Sequence, residues 1–261
     1  MPSIDSSIQD VVTQATEQVT RAAGQAAQVA ADAMRAVEFS GMGVMLSDEA
    51  IKIVGAGSVS GQPIRTRDFK AAGSARVQGD LETDKAKVAG ACTFEGNVRA
   101  NEFRTSGSAE IAGGLDAHEI EASGTLHVAK DVNAQEIVTS GSFKVGGQVK
   151  AHEFTSSGSV RIEIELAAHE VNMELGGSSY VKSIRASEIR IRGTGGFFRA
   201  RGELTSETIE GEDVYLEGTT ADLVKGADVR IGPHCRIKVI EARELVVHES
   251  SEVHERRPIS S

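Results

Sequence analysis

The chain has 261 residues and a net charge of −10; its residues are 39 % hydrophobic and 4 % aromatic, with no tryptophan. That hydrophobic content excludes a disordered chain, the acidic balance argues against a nucleic-acid footprint, and the scarcity of aromatics argues against a stacking platform for bases or sugars. No run of eighteen apolar residues is present, which predicts no transmembrane helix, and no basic stretch precedes an apolar core near the N-terminus, which predicts no secretory signal. The two cysteines, Cys92 and Cys235, read as reduced core thiols, in keeping with a cytoplasmic protein.

Residues 1–38 are rich in Ala, Gln and Val. Ile8, Val12, Ala15, Val19, Ala22, Ala26, Val29 and Ala33 alternate steps of four and three, a heptad seam that predicts an amphipathic α-helix. Ser6 or Ser7 is suited to cap it. Three placements stay open: pairing with another copy, docking on the rest of the chain, or lying on a membrane surface. The last is not indicated, because Arg21 and Arg35 are outnumbered by Asp5, Asp10, Glu17 and Asp32.

Phe39 to Phe69 reads as irregular early turns of a repeat, with Ile51, Ile53, Val59 and Ile64 inward and Pro63 marking one inserted residue. The repeat itself is plain from Asp68 to Glu170. Gly73, Gly90, Gly107, Gly124, Gly141 and Gly158 each follow the last by seventeen residues. Four residues before each glycine stand Phe69, Ala86, Phe103, Ile120, Ile137 and Phe154; four after it stand Val77, Phe94, Ile111, Val128, Val145 and Ile162. A fixed period carrying fixed apolar positions signals a solenoid. Within a turn the residues alternate apolar and polar, the mark of strands with one buried face. Seventeen is odd, so parity must reset once per turn, at polar pairs such as His118-Glu119 and His152-Glu153. Glycine suits the other two corners through its tolerance of positive φ. The expectation is a three-sided parallel β-helix of about 17 residues per turn over residues 39–254. The register slips by one near Leu175-Gly176, loosens from Gly193 to Leu204, and alternates again up to Val247. Residues 255–261 read as a disordered tail.

Several runs then carry a family likeness. They are Ile209 to Glu217, Ala221 to Val224, Val229-Arg230-Ile231-Gly232-Pro233-His234-Cys235 and Val239-Ile240-Glu241. Together with the glycine-spaced turns, they resemble bactofilins of the Bacillus type over roughly residues 40 to 255. The resemblance implies a right-handed β-helix that assembles end to end without nucleotide. It also implies a scaffold that positions cell-envelope, shape or motility machinery, with itself and such client proteins as partners. The implied location is the cytoplasm or, peripherally, the inner face of the membrane.

Physical reasoning points the same way, since a solenoid ends in strand edges that template further strands unless blocked. Ile51, Ile53 and Val59 at one end and Leu245, Val246 and Val247 at the other are the candidate polymer interface. Glu102, Glu119, Glu136, Glu153 and Glu170 recur at one repeat position and form a candidate recognition stripe. His152 and His169 should stack about 5 Å apart; a solvated corner explains them better than a metal site, because no third ligand is evident. Neither a phosphate-binding loop nor a Gly-x-Ser-x-Gly elbow opening a helix is present. No cofactor and no catalytic residue are expected. The competing readings are a non-polymerising monomeric or dimeric adaptor that binds a protein, and an enzyme built on a solenoid.

Overall fold

The structure is a computed structural model that describes residues 38–47, 49–193 and 202–259. These form a parallel β-solenoid of twenty-five strands, β1 to β25 in chain order, with no helix among the described residues. The seam from Ile8 to Ala33 lies outside the described residues. Glu38, placed at the end of that expected helix, is the first residue of β1 (Glu38–Leu46).

Each regular turn has three short strands, as the alternation predicts. The first face carries rungs such as Asp68 to Ala71 and Glu102 to Thr105, the second Ser74 to Val77, and the third Leu81 to Thr83. Successive rungs on the first face pair in parallel from Ala50 through Asp68, Glu119 and Glu188 to Glu244. The eleven intervals between these twelve rungs, at about 4.8 Å each, put the first and last roughly 53 Å apart. The interval is eighteen residues from Ala50 to Asp68, as the inserted residue at Pro63 requires, and eighteen again from Glu170 to Glu188.

The inward positions form one continuous core from Ile51 to Ile240. Phe69, Phe94 and Phe103 interlock near one end, with ring centroids 5.6 and 6.1 Å apart; Phe143 and Phe154 do so farther along at 6.1 Å. Such tilted contacts add to the burial of their rings.

The glycine repeat has a different cause from the one expected. None of the six repeat glycines has positive φ; among the described residues only Gly41, Gly43, Gly55, Gly79 and Gly218 do, with His234. What requires glycine is close approach. A Cβ on Gly90, Gly107 or Gly124 would stand 2.1, 2.0 or 1.9 Å from the carbonyl oxygen of the glycine one turn earlier. The next corner is held by side chains. Asp80 Oδ1 accepts from the Asn97 backbone N–H at 2.7 Å, and Asn97 Oδ1 accepts from the Gly114 N–H at 2.9 Å.

The two ends depart from the repeat. β1 does not add a parallel turn; it pairs antiparallel with β2 (Ala50–Ser60), Glu38 facing Ser60 and Leu46 facing Ile51. The reversal is made across Ser47 and Ala50, whose backbones exchange hydrogen bonds at 2.9 and 3.3 Å. At the other end, β22 (Glu203–Leu216), β23 (Thr219–Ile231) and β24 (Arg236–Val247) each run across all three faces. β25 (Glu252–Pro258) then lies parallel on the first half of β24. Residues 255–258, expected in a disordered tail, are the second half of that strand.

Candidate functional site

The candidate interface at the N-terminal end is not where the sequence put it. Ile51, Ile53 and Val59 are fully inward residues of the first turn, at most 5 % exposed, beneath the reversed strand β1. What that end presents instead is β1 itself. Phe39 and Leu46 continue the inward columns above Val59 and Ile51, and no described residue covers them, so they are 57 % and 41 % exposed. Met45, on the outer side beside Lys52, is 60 % exposed. The sequence signal was the polar run from Ser47 to Glu49 between two apolar strands, which permits a reversal without an Asn-Gly turn.

The C-terminal end is closer to expectation. Leu245 and Val247 stand on Val229 and Ile231 and are half-buried, packed against the core. Val246 points outward and is 64 % exposed. β25 covers β24 only from Arg236 to Ala242, so the edge from Arg243 to Val247 has no strand beyond it among the described residues. Of the three, Leu245 and Val247 belong to the uncovered end of the core, while Val246 is a surface residue.

The five glutamates of the candidate stripe are brought together, and the ladder is longer than predicted. Glu102, Glu119, Glu136, Glu153 and Glu170 continue through Glu188, Asp213, Asp228 and Glu244 on successive rungs. Glu188 matches Glu170 in the sequence at an interval of eighteen, while Asp213, Asp228 and Glu244 were hidden because the interval changes again after Glu188. The ladder is unevenly compensated. Glu102 is only 13 % exposed and lies 3.4 Å from Lys85 Nζ, 3.8 Å from Lys87 Nζ and 2.5 Å from Arg104 Nε, the last an ion pair rather than an aligned hydrogen bond. Arg104 also reaches Glu119 at 3.1 Å and Glu121 at 2.9 Å. Farther along, Arg190 pairs with Glu188 at 3.4 Å and Arg230 with Asp228 at 3.4 Å. Between these, Glu136 and Glu153 make no ion pair among the described residues, because Val138 and Thr155 stand where the cations would be.

The third face differs. Its outward charges never meet a like charge on the next rung: Arg65 lies on Glu82 at 2.8 Å, Arg99 on Asp116 at 3.8 Å and Arg185 on Glu210 at 3.4 Å, with neutral Asn133 and Ala167 between. Like charges on neighbouring rungs are unfavourable and opposite charges favourable, so the third face follows the stabilising rule and the acidic ladder breaks it.

The imidazoles of His152 and His169 stack with centroids 5.0 Å apart and planes 8° apart, as the repeat predicts. No group of three or more His, Cys, Asp or Glu suited to a metal occurs among the described residues. Cys92 and Cys235 are both buried and free. Burial pushes the Cys92 thiol up to about 12 and also raises that of Cys235, so neither is a thiolate nucleophile at neutral pH. No described helix is long and apolar enough to cross a membrane.

Comparison with known proteins adds little. A stretch of 64 residues is 44 % identical to the uncharacterized protein YhbF of Bacillus subtilis (strain 168) and covers 24 % of this chain. The chain spans about a quarter (27 %) of that relative's length. No protein-family model matches the chain, and no solved structure matches it significantly.

Proposed function

We propose that this protein is a non-enzymatic cytoskeletal scaffold of the bactofilin kind, which self-assembles end to end through its β-solenoid without nucleotide. The observation that carries the reading is the state of the two ends. Among the described residues, each leaves a strand edge free beside uncovered apolar side chains: β1 with Phe39 and Leu46, and the second half of β24 with Leu245 and Val247. Free edges of this kind recruit further strands, and apolar side chains at the end of a core lose exposed area when a second copy stacks on them. The resemblance of residues 40 to 255 to bactofilins supports the same reading and adds the right-handed coil. It also suggests a cytoplasmic or peripheral inner-membrane location and protein clients of the envelope or motility apparatus.

A pelleting assay tests it. The purified chain, without nucleotide or metal, should sediment as polymer above a threshold concentration, and Val247→Asp should raise that threshold at least about tenfold by placing a charge in the contact. A chain that never pellets contradicts the proposal. Unchanged pelleting of a folded Val247→Asp variant removes the C-terminal end from the contact.

The second reading is an adaptor that stays monomeric or dimeric and binds a protein partner. It is favoured by one observation: β1 runs against β2 along two faces of the first turn, so a neighbour cannot continue the parallel stack there.

A further inference from the structure

The last described rung of the third face breaks the pattern of every rung before it. From Ile64 through Leu115 and Leu166 to Ile240, each inward position on that column is aliphatic and fully buried. The next position, paired with Ile240, is Arg256. The neighbouring column holds small residues, among them Ala100, Ala186 and Ala242, until Pro258 takes the rung after Ala242. The other two faces keep their pattern to the end: Val247 stands on Ile231, and Val253 on Ile237.

Arg256 and Pro258 are two devices that close a sheet edge. A second copy stacked on this rung would bury a guanidinium against Ile240. That group keeps its charge at any ordinary pH, and uncompensated burial of a charge is strongly unfavourable. Arg256 makes no ion pair among the described residues, whereas its outward neighbour Arg257 is engaged with Glu255 at 2.8 Å and Glu241 at 3.5 Å. Pro258 has no N–H to offer a ladder. Inward charges and edge prolines are means by which natural sheets avoid edge-to-edge growth. Both act through residue type at a fixed register position, whatever precedes or follows them in the chain.

We infer that the rung Glu255 to Pro258 is a built-in stop that blocks the third face of the C-terminal end against a second copy of this chain. It confines the contact at that end to the free edge from Arg243 to Val247, next to Val253, and keeps assembly through that end weak. The inference rests on the reading of the protein as self-assembling; it adds a brake to that assembly and names the residues that apply it.

The test is sedimentation velocity over a concentration series on the full chain, its Arg256→Leu/Pro258→Val variant and its Arg256→Lys variant, with thermal melts to show that each is folded and electron microscopy of the products. Removing the stop should lower the threshold for ordered linear assembly on the order of tenfold or more, the effect of relieving one uncompensated buried charge. Arg256→Lys, which keeps the charge, should leave the threshold within about twofold of the parent. Equal thresholds for the parent and the double variant would overturn the stop and leave self-assembly standing. Failure of both to assemble at any concentration would overturn both the stop and the self-assembly reading. Amorphous aggregation of the double variant in place of linear particles would also count against the stop.

Discussion

Gly141 lies over Gly124 so closely that a Cβ on Gly141 would stand 1.9 Å from the Gly124 carbonyl oxygen. No rotamer relieves that contact, because the clashing atom is backbone. Gly141→Ala should therefore destabilise the solenoid by about 3 kcal/mol or more, among the larger effects of single substitutions. Gly177, where the nearest atom to an added Cβ is 4.0 Å away, is the control. Gly177→Ala should change stability by less than about 0.5 kcal/mol. Chemical denaturation of the two variants beside the parent decides the matter.

Thr105 and Thr139 carry buried hydroxyls with no hydrogen-bond partner among the described residues, on a column otherwise occupied by residues such as Val88 and Ala122. An unsatisfied buried hydroxyl is a cost, so Thr139→Val should stabilise the fold by about 1 kcal/mol. Ser206 is the contrast. It is equally buried, and its hydroxyl lies within reach of the carbonyls of Lys182 at 3.3 Å and Thr208 at 3.2 Å. Ser206→Ala should destabilise by about 1 kcal/mol. Opposite signs in thermal melts are expected; the same sign for both would show that the Thr139 hydroxyl is satisfied in solution.

The acidic ladder makes a prediction about salt. Glu102 is held by three cations, while Glu136 and Glu153 have none among the described residues. Glu102→Gln should therefore destabilise, whereas Glu136→Gln should stabilise by about 0.2–0.5 kcal/mol at low ionic strength by relieving like-charge repulsion between rungs. The gain at Glu136 should vanish at about 1 M salt, where the Debye length is only about 3 Å. Denaturation midpoints at low and high salt measure both effects.

The cysteines set an alkaline limit. Burial lifts the Cys92 thiol from its ordinary 9.0 to about 12, so the folded state holds its proton longer than the unfolded state does. Its contribution is fully present below pH 9 and is lost as pH rises from 9.0 toward about 12. The slope is about 1.4 kcal/mol per pH unit for that thiol. Cys235 adds to it in the same direction. Replacing Cys92 by Ala should weaken the fold at pH 7 by leaving a small cavity, yet reduce its further loss between pH 9 and 11. An unchanged alkaline slope would show that other groups control it.

The body of the solenoid was legible because its determinants are local and repeated. Phe69, Phe103 and Phe154 announce the inward column at a fixed offset from each glycine, and the parity reset at pairs such as His152-Glu153 locates a corner. The reason for the glycines was not legible. Positive φ and close backbone approach both demand glycine, and only coordinates distinguish Gly79, with φ of 113°, from Gly90, which faces the Gly73 carbonyl. The ends were misread because they break the repeat that made the rest readable. β1 has the same apolar alternation whether it runs with β2 or against it, so Phe39 and Leu46 did not reveal their direction. Arg256 and Pro258 look like a solvated tail by composition; only their pairing with Ile240 and Ala242 makes them part of the sheet.

The most direct test of the central claim is negative-stain electron microscopy of the purified chain at rising concentration, with no nucleotide or metal present. End-to-end assembly predicts unbranched linear particles a few nanometres wide, with a subunit spacing along the axis no shorter than about 58 Å, the repeat of twelve rungs about 4.8 Å apart. Discrete particles of one solenoid's length at every concentration would contradict it and leave the adaptor reading.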